Sequence, residues 1–302
     1  MKNISDIYLE GKQVLIRVDF NVPLDEHFNI TDDSRIQAAL PTIKKVIADG
    51  GKAIVMSHLG RPKNGFEEKF SLKHIVKHLS DLLETTVSFS GDCMGENTIA
   101  DVKKMENGDV LVLENLRFYS EEKEGDANFA KQLANLGDVY VNDAFGTAHR
   151  AHASTAVIAD YFPNTKYFGL LLSNEINSLE TALKNPEIPF TAIIGGAKIT
   201  GKIDVITSLF DKVDNLIIGG GMAYTFAKAM GGAIGNSLVE EDKVELAKSL
   251  IVDAQKKGVQ LLLPSDSINA NEFSNNAIIQ HSKITTIPDG FMGLDIGSDS
   301  IT

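Results

Sequence analysis

Val14-Leu15-Ile16-Arg17-Val18-Asp19-Phe20 and Ala53-Ile54-Val55-Met56-Ser57 are short and almost uninterrupted apolar runs. A strand with one wet face alternates apolar and polar residues, whereas a strand covered on both faces has no reason to. Val87–Ser90, Val110–Glu114 and Val139–Asn142 continue the series, with helical periodicity between them. One helix is predicted from a Ser34 cap to Asp49, closed by Gly50-Gly51, with Pro41 inside it as a kink. A second follows a Ser71 cap, with Leu72, Ile75, Val76, Leu79, Leu82 and Leu83 on one stripe. Buried strands alternating with helices are the pattern of βαβ units and a parallel sheet.

Strand signals fade over Ala148–Pro163, and a helix is predicted for Ser173–Lys184. Asn185-Pro186-Glu187-Ile188-Pro189 then breaks the chain. A second series follows, with strands at Phe190–Ile194, Leu216–Gly219 and Gln260–Pro264, and helices at Lys202–Asp211, Met222–Ala229 and Glu240–Lys257. The expected architecture is α/β, with two doubly wound, Rossmann-like domains. The first covers residues 1–170, a hinge helix and linker 171–189, and a partial second domain 190–302.

The chain has 302 residues, 43% hydrophobic and 23% charged, an ordinary globular composition. No apolar run approaches a membrane span, and the amino terminus lacks the pattern of a signal peptide. One cysteine, Cys93, excludes an internal disulfide and fits a reducing, cytoplasmic setting; it is expected in a loop as an ordinary thiol. The net charge of −12, without a basic run, argues against nucleic acid and acidic membrane surfaces as partners. Any anion site must therefore be local.

All five arginines, Arg17, Arg35, Arg61, Arg117 and Arg150, lie in the first half. Lysine is plentiful in the second half, so the bias is not one of charge. Arginine differs in its planar fork, which grips phosphate or carboxylate with two bonds. Arg61, Arg117 and Arg150 each follow a strand, and Arg35 opens a helix. Ligands of open parallel sheets bind beyond the carboxyl ends of the strands. Each arginine alone reads as a surface ion pair; the set, with His58, His149, Asp19 and Asn21, reads as one anion pocket. Arg17 precedes the end of its strand and reads as structural. His74 and His78 have metal-ligand spacing on a helix but no third ligand, so they read as a polar face. No nucleophile triad or catalytic carboxylate pair stands out.

Two glycine-rich stretches follow strands in the second half. Gly196-Ala197-Lys198-Ile199-Thr200-Gly201-Lys202 begins a P-loop pattern, but Ile203 stands where a Ser or Thr would hold magnesium. Gly219-Gly220-Gly221-Met222-Ala223 lacks the dinucleotide fingerprint, because Tyr224 replaces its last glycine. Glycines, two lysines and a helix start suit phosphate. Tight packing of turn on helix explains the glycines equally well.

These motifs, in this order, resemble phosphoglycerate kinase: Arg17-Val18-Asp19-Phe20-Asn21-Val22-Pro23, Ser57-His58-Leu59-Gly60-Arg61-Pro62, Leu113-Glu114-Asn115-Leu116-Arg117-Phe118 with Glu121-Glu122-Lys123, Asn142 through Arg150, Gly195-Gly196-Ala197-Lys198, and Gly219 through Ala223. The resemblance runs from about Val14 to Gly297. It implies reversible phosphoryl transfer from 1,3-bisphosphoglycerate to MgADP, giving ATP and 3-phosphoglycerate in glycolysis. It implies a substrate set of Asp19, Asn21, Arg35, His58, Arg61, Arg117 and Arg150, with Arg35 facing the transferring group. The nucleotide side would be Gly195, Gly196, Lys198, Lys202, Gly219 and Gly220, with Arg35 and Lys198 as the catalytic pair. Such a transfer runs on positioning and electrostatics and needs no side-chain nucleophile. Hinge closure would bring the two substrates together and expel water. The family expectation is a cytoplasmic monomer acting on small molecules.

Family members continue past the position of Thr302, with a Gly-Gly-Asp-Ser/Thr loop that supplies the magnesium ligand and with an acidic residue for the ribose. The resemblance therefore implies a C-terminally truncated fragment with an exposed sheet edge and no magnesium ligand of its own. It predicts negligible kinase activity and weak 3-phosphoglycerate binding for this exact chain. The alternatives are a catalytically inactive anion-binding fragment and, disfavoured by the missing fingerprint, a nicotinamide-dependent dehydrogenase.

Overall fold

The computed structural model describes residues 2–63, 65–184 and 186–302 and separates into two compact units, residues 1–179 and 180–302. Asn185, in the expected chain break, lies outside the described residues.

The first unit runs β1 (Gln13–Arg17), α1 (Ser34–Ala48), β2 (Lys52–Met56), α2 (Lys73–Leu83), β3 (Val87–Phe89), α3 (Glu96–Lys104), β4 (Val110–Val112), α4 (Ser120–Glu124), α5 (Ala127–Ala134), β5 (Val139–Asn142) and β6 (Lys166–Phe168). α6 (Leu170–Lys184) crosses the division between the units. The six strands form one parallel sheet in the order β3-β4-β2-β1-β5-β6. Alternate residues point to opposite faces. Val14 and Ile16 of β1 and Ala53 and Val55 of β2 share one core with Ile36 and Ile43 of α1 and Ile75 and Leu79 of α2. Leu15, Ile54 and Met56 point the other way, into a second core with Val102 of α3 and Phe129 and Leu133 of α5. Burial on both faces is the physical reason that these strands read as unbroken apolar runs.

The second unit continues with β7 (Thr191–Gly195), α7 (Ile203–Leu209), β8 (Asn215–Gly219), α8 (Met222–Ala229), β9 (Ala233–Ile234), α9 (Val244–Lys256), β10 (Gln260–Leu262), β11 (Asp266–Ala270), β12 (Ile279–Lys283), β13 (Thr286–Ile287), β14 (Met292–Ile296) and α10 (Ser298–Ile301). β10-β8-β7 form a parallel sheet, and Ile206, Phe210, Phe226, Ala247 and Leu250 share one core with Leu216 and Ile218 of β8. β12-β11-β14 form a separate antiparallel sheet.

Several local expectations are corrected. Ser34 is the first helical residue rather than the cap; Asp33 holds that position, and Ser34 bonds back to Asp32. As expected, α1 runs on through Pro41. The residue preceding α2 is Leu72, although Ser71 Oγ still accepts from the Lys73 N–H. The helix placed at Ser173 begins at Leu170, and the one placed at Glu240 begins at Val244 after a short 3-10 turn. β6 and the antiparallel sheet have no counterpart among the predicted elements.

Surface pairs such as Lys77–Asp81 contribute only about 0.3–0.5 kcal/mol each. The paired cores on the two sheet faces, not the surface charges, hold the first unit together. Among the described residues, no helix is long and apolar enough to cross a membrane.

Candidate functional site

In the first sheet, the chain moves from β1 to β2 on one side and later returns to place β5 on the other side of β1. The loops at the carboxyl ends of β1 and β5 therefore diverge and open a crevice at that point. A cavity of about 450 Å³ lies there, lined by Asp19, Asn21, Arg35, His58, Arg61, Pro62, Arg117, Lys123, Gly146, Thr147 and Arg150. Asp19 and Asn21 follow β1, His58 and Arg61 follow β2, Arg117 follows β4, and Gly146, Thr147 and Arg150 follow β5. All seven residues expected for the substrate side share this one cavity.

Backbone and side-chain bonds set the lining. Asn21 Oδ1 accepts from the Gly60 N–H at 2.8 Å, and Arg117 Nη1 donates to the Gly60 carbonyl at 2.8 Å. Gly60 has φ +63°, and a Cβ there would stand 2.3 Å from the Phe70 ring, so this turn requires glycine. Buried Asn115 accepts from the N–H groups of Leu59 and Arg117 and donates to the carbonyls of Leu59 and Phe70. Asn115 thus fixes the loops carrying His58, Arg61 and Arg117 to one another.

The electrostatics are one-sided. Five cationic side chains and a single carboxylate, Asp19, line the cavity. Asp19 pairs with Arg35 at 2.6 Å. Among the described residues, Arg61, Lys123, Arg117 and Arg150 make no ion pair with a protein carboxylate, so their charge is available to a ligand. Burial, and then Arg150, push the Arg117 guanidinium below its ordinary value. It remains cationic, because guanidinium does not deprotonate in proteins. Burial, and then Arg17, push His58 down to about 2, so its ring is neutral at physiological pH.

Lys123 also lines the cavity; it sits on the short helix α4 rather than just past a strand, so topology does not point to it. His149 does not line the cavity; it is exposed and accepts a 3.4 Å bond from Arg150 Nε. Arg17 is buried beneath the pocket rather than in its lining. His74 stacks on Phe28 and lies 2.7 Å from the Glu68 carbonyl, and His78 pairs with Asp33 at 2.8 Å. Cys93 is fully buried, and its Sγ donates to the Glu114 carbonyl at 2.9 Å. Among the described residues, no group of three His, Cys, Asp or Glu side chains is placed to hold a metal ion.

In the second unit, β7 and β8 pair in parallel with Gly195 opposite Gly219, so the two glycine loops leave the sheet side by side. The Gly196 carbonyl accepts from the Met222 N–H at 2.9 Å. Gly220 has φ +69°, and a Cβ there would lie 3.0 Å from the N and O atoms of Gly196. Lys202 lies with its Cε 3.6 Å from the position a Gly196 Cβ would take, and Lys198 is exposed. Among the described residues, neither lysine makes an ion pair. Glu240, which carried no motif signal, accepts from the N–H groups of Ile199 and Thr200 and from the Thr200 hydroxyl, and so pins the loop between the two lysines.

A family model described as phosphoglycerate kinase matches residues 4–302. The chain is 54% identical over 300 residues to the phosphoglycerate kinase of Chlorobaculum tepidum, covering 99% of this chain and 75% of that protein. It is 54% identical to the phosphoglycerate kinase of Gloeothece citriformis, covering 99% and 74%. The structure of phosphoglycerate kinase from Coxiella burnetii superposes with a TM-score of 0.79 at 40% identity, covering 99% of this chain and 75% of that one. That of Pyrococcus horikoshii gives 0.81 at 27% identity, covering 99% and 76%. The two parallel sheets, the arginine cavity and the paired glycine loops thus occur in a chain that aligns along almost all of its length with these kinases, and the chain belongs to the phosphoglycerate kinase family.

Proposed function

We propose that the arginine cavity holds 3-phosphoglycerate, or the glycerate end of 1,3-bisphosphoglycerate, and that the paired glycine loops hold the phosphates of MgADP or MgATP. The reaction of the family is reversible transfer of a phosphoryl group between the two. The observation that carries the reading is five cations around one carboxylate, with four of the cations lacking an ion pair among the described residues. A ligand bearing a phosphate and a carboxylate supplies the missing charge.

In the ATP-forming direction, the bond between phosphorus and the acyl oxygen breaks, and a terminal oxygen of ADP forms the new bond to phosphorus. The carboxylate of 3-phosphoglycerate is the leaving group. Arg61, Arg117 and Arg150 fix the anionic ends of the substrate, with Asp19, Asn21 and neutral His58 completing its hydrogen bonds. Arg35 faces the transferring group, and Lys198 offsets charge on the nucleotide side, as positioned charge should in a loose transition state. Gly195, Gly196, Gly219 and Gly220 let the backbone approach the nucleotide, and Lys202 lies near its phosphates. Magnesium enters as part of the nucleotide substrate. The molecule works on small-molecule substrates as a cytoplasmic monomer.

Calorimetric titration with 3-phosphoglycerate tests the first site. Binding that weakens at least about tenfold in Arg117→Ala supports it, given the usual value of a charged hydrogen bond. No binding to the unsubstituted chain would overturn it. Titration with MgADP against NAD tests the second site, and the absence of any preference for MgADP would overturn it.

A further inference from the structure

Beneath the anion cavity runs a buried polar chain that the substrate contacts do not account for. Arg17, at the end of β1, is 1% exposed. A buried guanidinium is costly without partners. Among the described residues, no carboxylate stands within ion-pair distance of it. Its Nε instead donates to Ser154 Oγ at 2.9 Å. Ser154 in turn donates its hydroxyl to Glu122 Oε1 at 2.6 Å and its N–H to Oε2 at 2.9 Å. Glu122 is itself 1% exposed. A serine hydroxyl has one proton to give and lone pairs to receive. Accepting from Arg17 and donating to Glu122, it couples a buried cation to a buried anion that do not touch.

The other end of Arg17 reaches the cavity wall. Nη1 donates to the Val18 carbonyl, and Nη2 lies 3.3 Å from His58 Nδ1. Guanidinium only donates. His58 Nδ1 must therefore accept, which leaves the ring proton on Nε2. Asp19 Oδ1, 3.7 Å from Nδ1, is too distant to claim a proton there.

We propose that Glu122, through Ser154 and Arg17, forms a positioning relay that fixes His58 as a neutral imidazole with its proton on Nε2, the donor it offers to an anion in the cavity. The inference rests on the proposed anion site and adds the source of one of its hydrogen bonds. Burial and the arginines around His58 also favour the neutral ring. Glu122 and Ser154 are positioning residues; only His58 meets the ligand.

The test is long-range proton–nitrogen NMR of the chain labelled at histidine, with His58→Gln used to assign the His58 signals. Expected is an unprotonated Nδ1 and a protonated Nε2 that persist from pH 5 to pH 8 (roughly one unit and more either side of an ordinary histidine). Ser154→Ala is expected to introduce the Nδ1–H form and to weaken 3-phosphoglycerate binding about tenfold. Ser154→Thr, which keeps the hydroxyl, is expected to restore both. A proton on Nδ1 in the unsubstituted chain overturns the relay, and that spectrum decides even if Ser154→Ala does not fold. A tautomer unchanged in folded Ser154→Ala also overturns it. An Nε2–H ring that responds to Ser154→Ala, in a chain that binds no 3-phosphoglycerate, upholds the relay and overturns only the site reading.

Discussion

Arg35 Nη1 donates to Asp19 Oδ2 across 2.6 Å, and among the described residues this is the one ion pair made by any arginine of the chain. The lone carboxylate of the cavity thus occupies the cation proposed to face the transferring group. Asp19→Asn removes that charge while keeping the shape. Affinity for inorganic phosphate, measured by calorimetry, is expected to rise several-fold, because the five cations then face no competing anion. A fall in phosphate affinity would show that Asp19 orders the cavity more than it opposes anions.

His58 gives the chain an acid sensitivity. Its folded value is about 2 against an ordinary 6.5, so between these limits the unfolded chain carries a proton that the folded chain refuses. Stability is unaffected by this ring above pH 6.5 and falls as pH drops below it, by about 1.4 kcal/mol per unit. Asp143 acts in the opposite sense, because burial raises its carboxyl and acid relieves that penalty. Comparison with His58→Gln isolates the histidine. Urea midpoints of the variant are expected to depend less on pH between 6 and 4 (roughly the range where only the unfolded ring is charged). Parallel pH profiles would count against a neutral His58.

Gly169 stands against Asp143. A Cβ at Gly169 would lie 2.1 Å from Asp143 Oδ1 and 2.6 Å from its Cβ. Asp143 is fully buried, and its Oδ1 accepts from the Leu172 N–H at 3.1 Å in the first turn of α6. Rotation of the carboxylate cannot relieve a clash that includes its own Cβ. Gly169→Ala is expected to cost about 1–3 kcal/mol, read as a lower thermal midpoint. An unchanged midpoint would mean that this contact yields.

Gly220 combines a left-handed backbone with a close approach to Gly196. Gly220→Ala is expected to push the two glycine loops apart and to weaken MgADP binding tenfold or more, on the scale of one or two lost charged hydrogen bonds. Binding of 3-phosphoglycerate should stay as it was, because no residue of the first cavity is touched. Loss of both would point to general unfolding instead.

The first sheet was legible because β1, β2, β4 and β5 are covered on both faces, which removes polar residues from the run. β6 carries no strand signal, because Lys166-Tyr167-Phe168 is short and only partly covered. β12 carries none because Ile279-Gln280-His281-Ser282-Lys283 is largely exposed and shows no apolar alternation. The cap falls at Asp33 rather than Ser34, because Asp32, Asp33 and Ser34 are all good cap residues and only the backbone geometry separates them. In the site, side chains just past strand ends were legible from topology alone. Lys123, on α4, and Glu240, which acts across 40 residues of sequence on Thr200, follow no such rule. Contacts of that kind depend on how loops fold back, which periodicity does not encode.

The five-cation mouth belongs to a molecule with a net charge of −12. Screening confines the pull of the mouth to roughly 8–10 Å in physiological salt. A metabolite small enough to sit wholly inside that radius is drawn in. An extended polyanion, such as a nucleic acid strand, reaches beyond that radius and gains less from the mouth per charge. The electrostatics of the mouth therefore favour compact anions over extended ones.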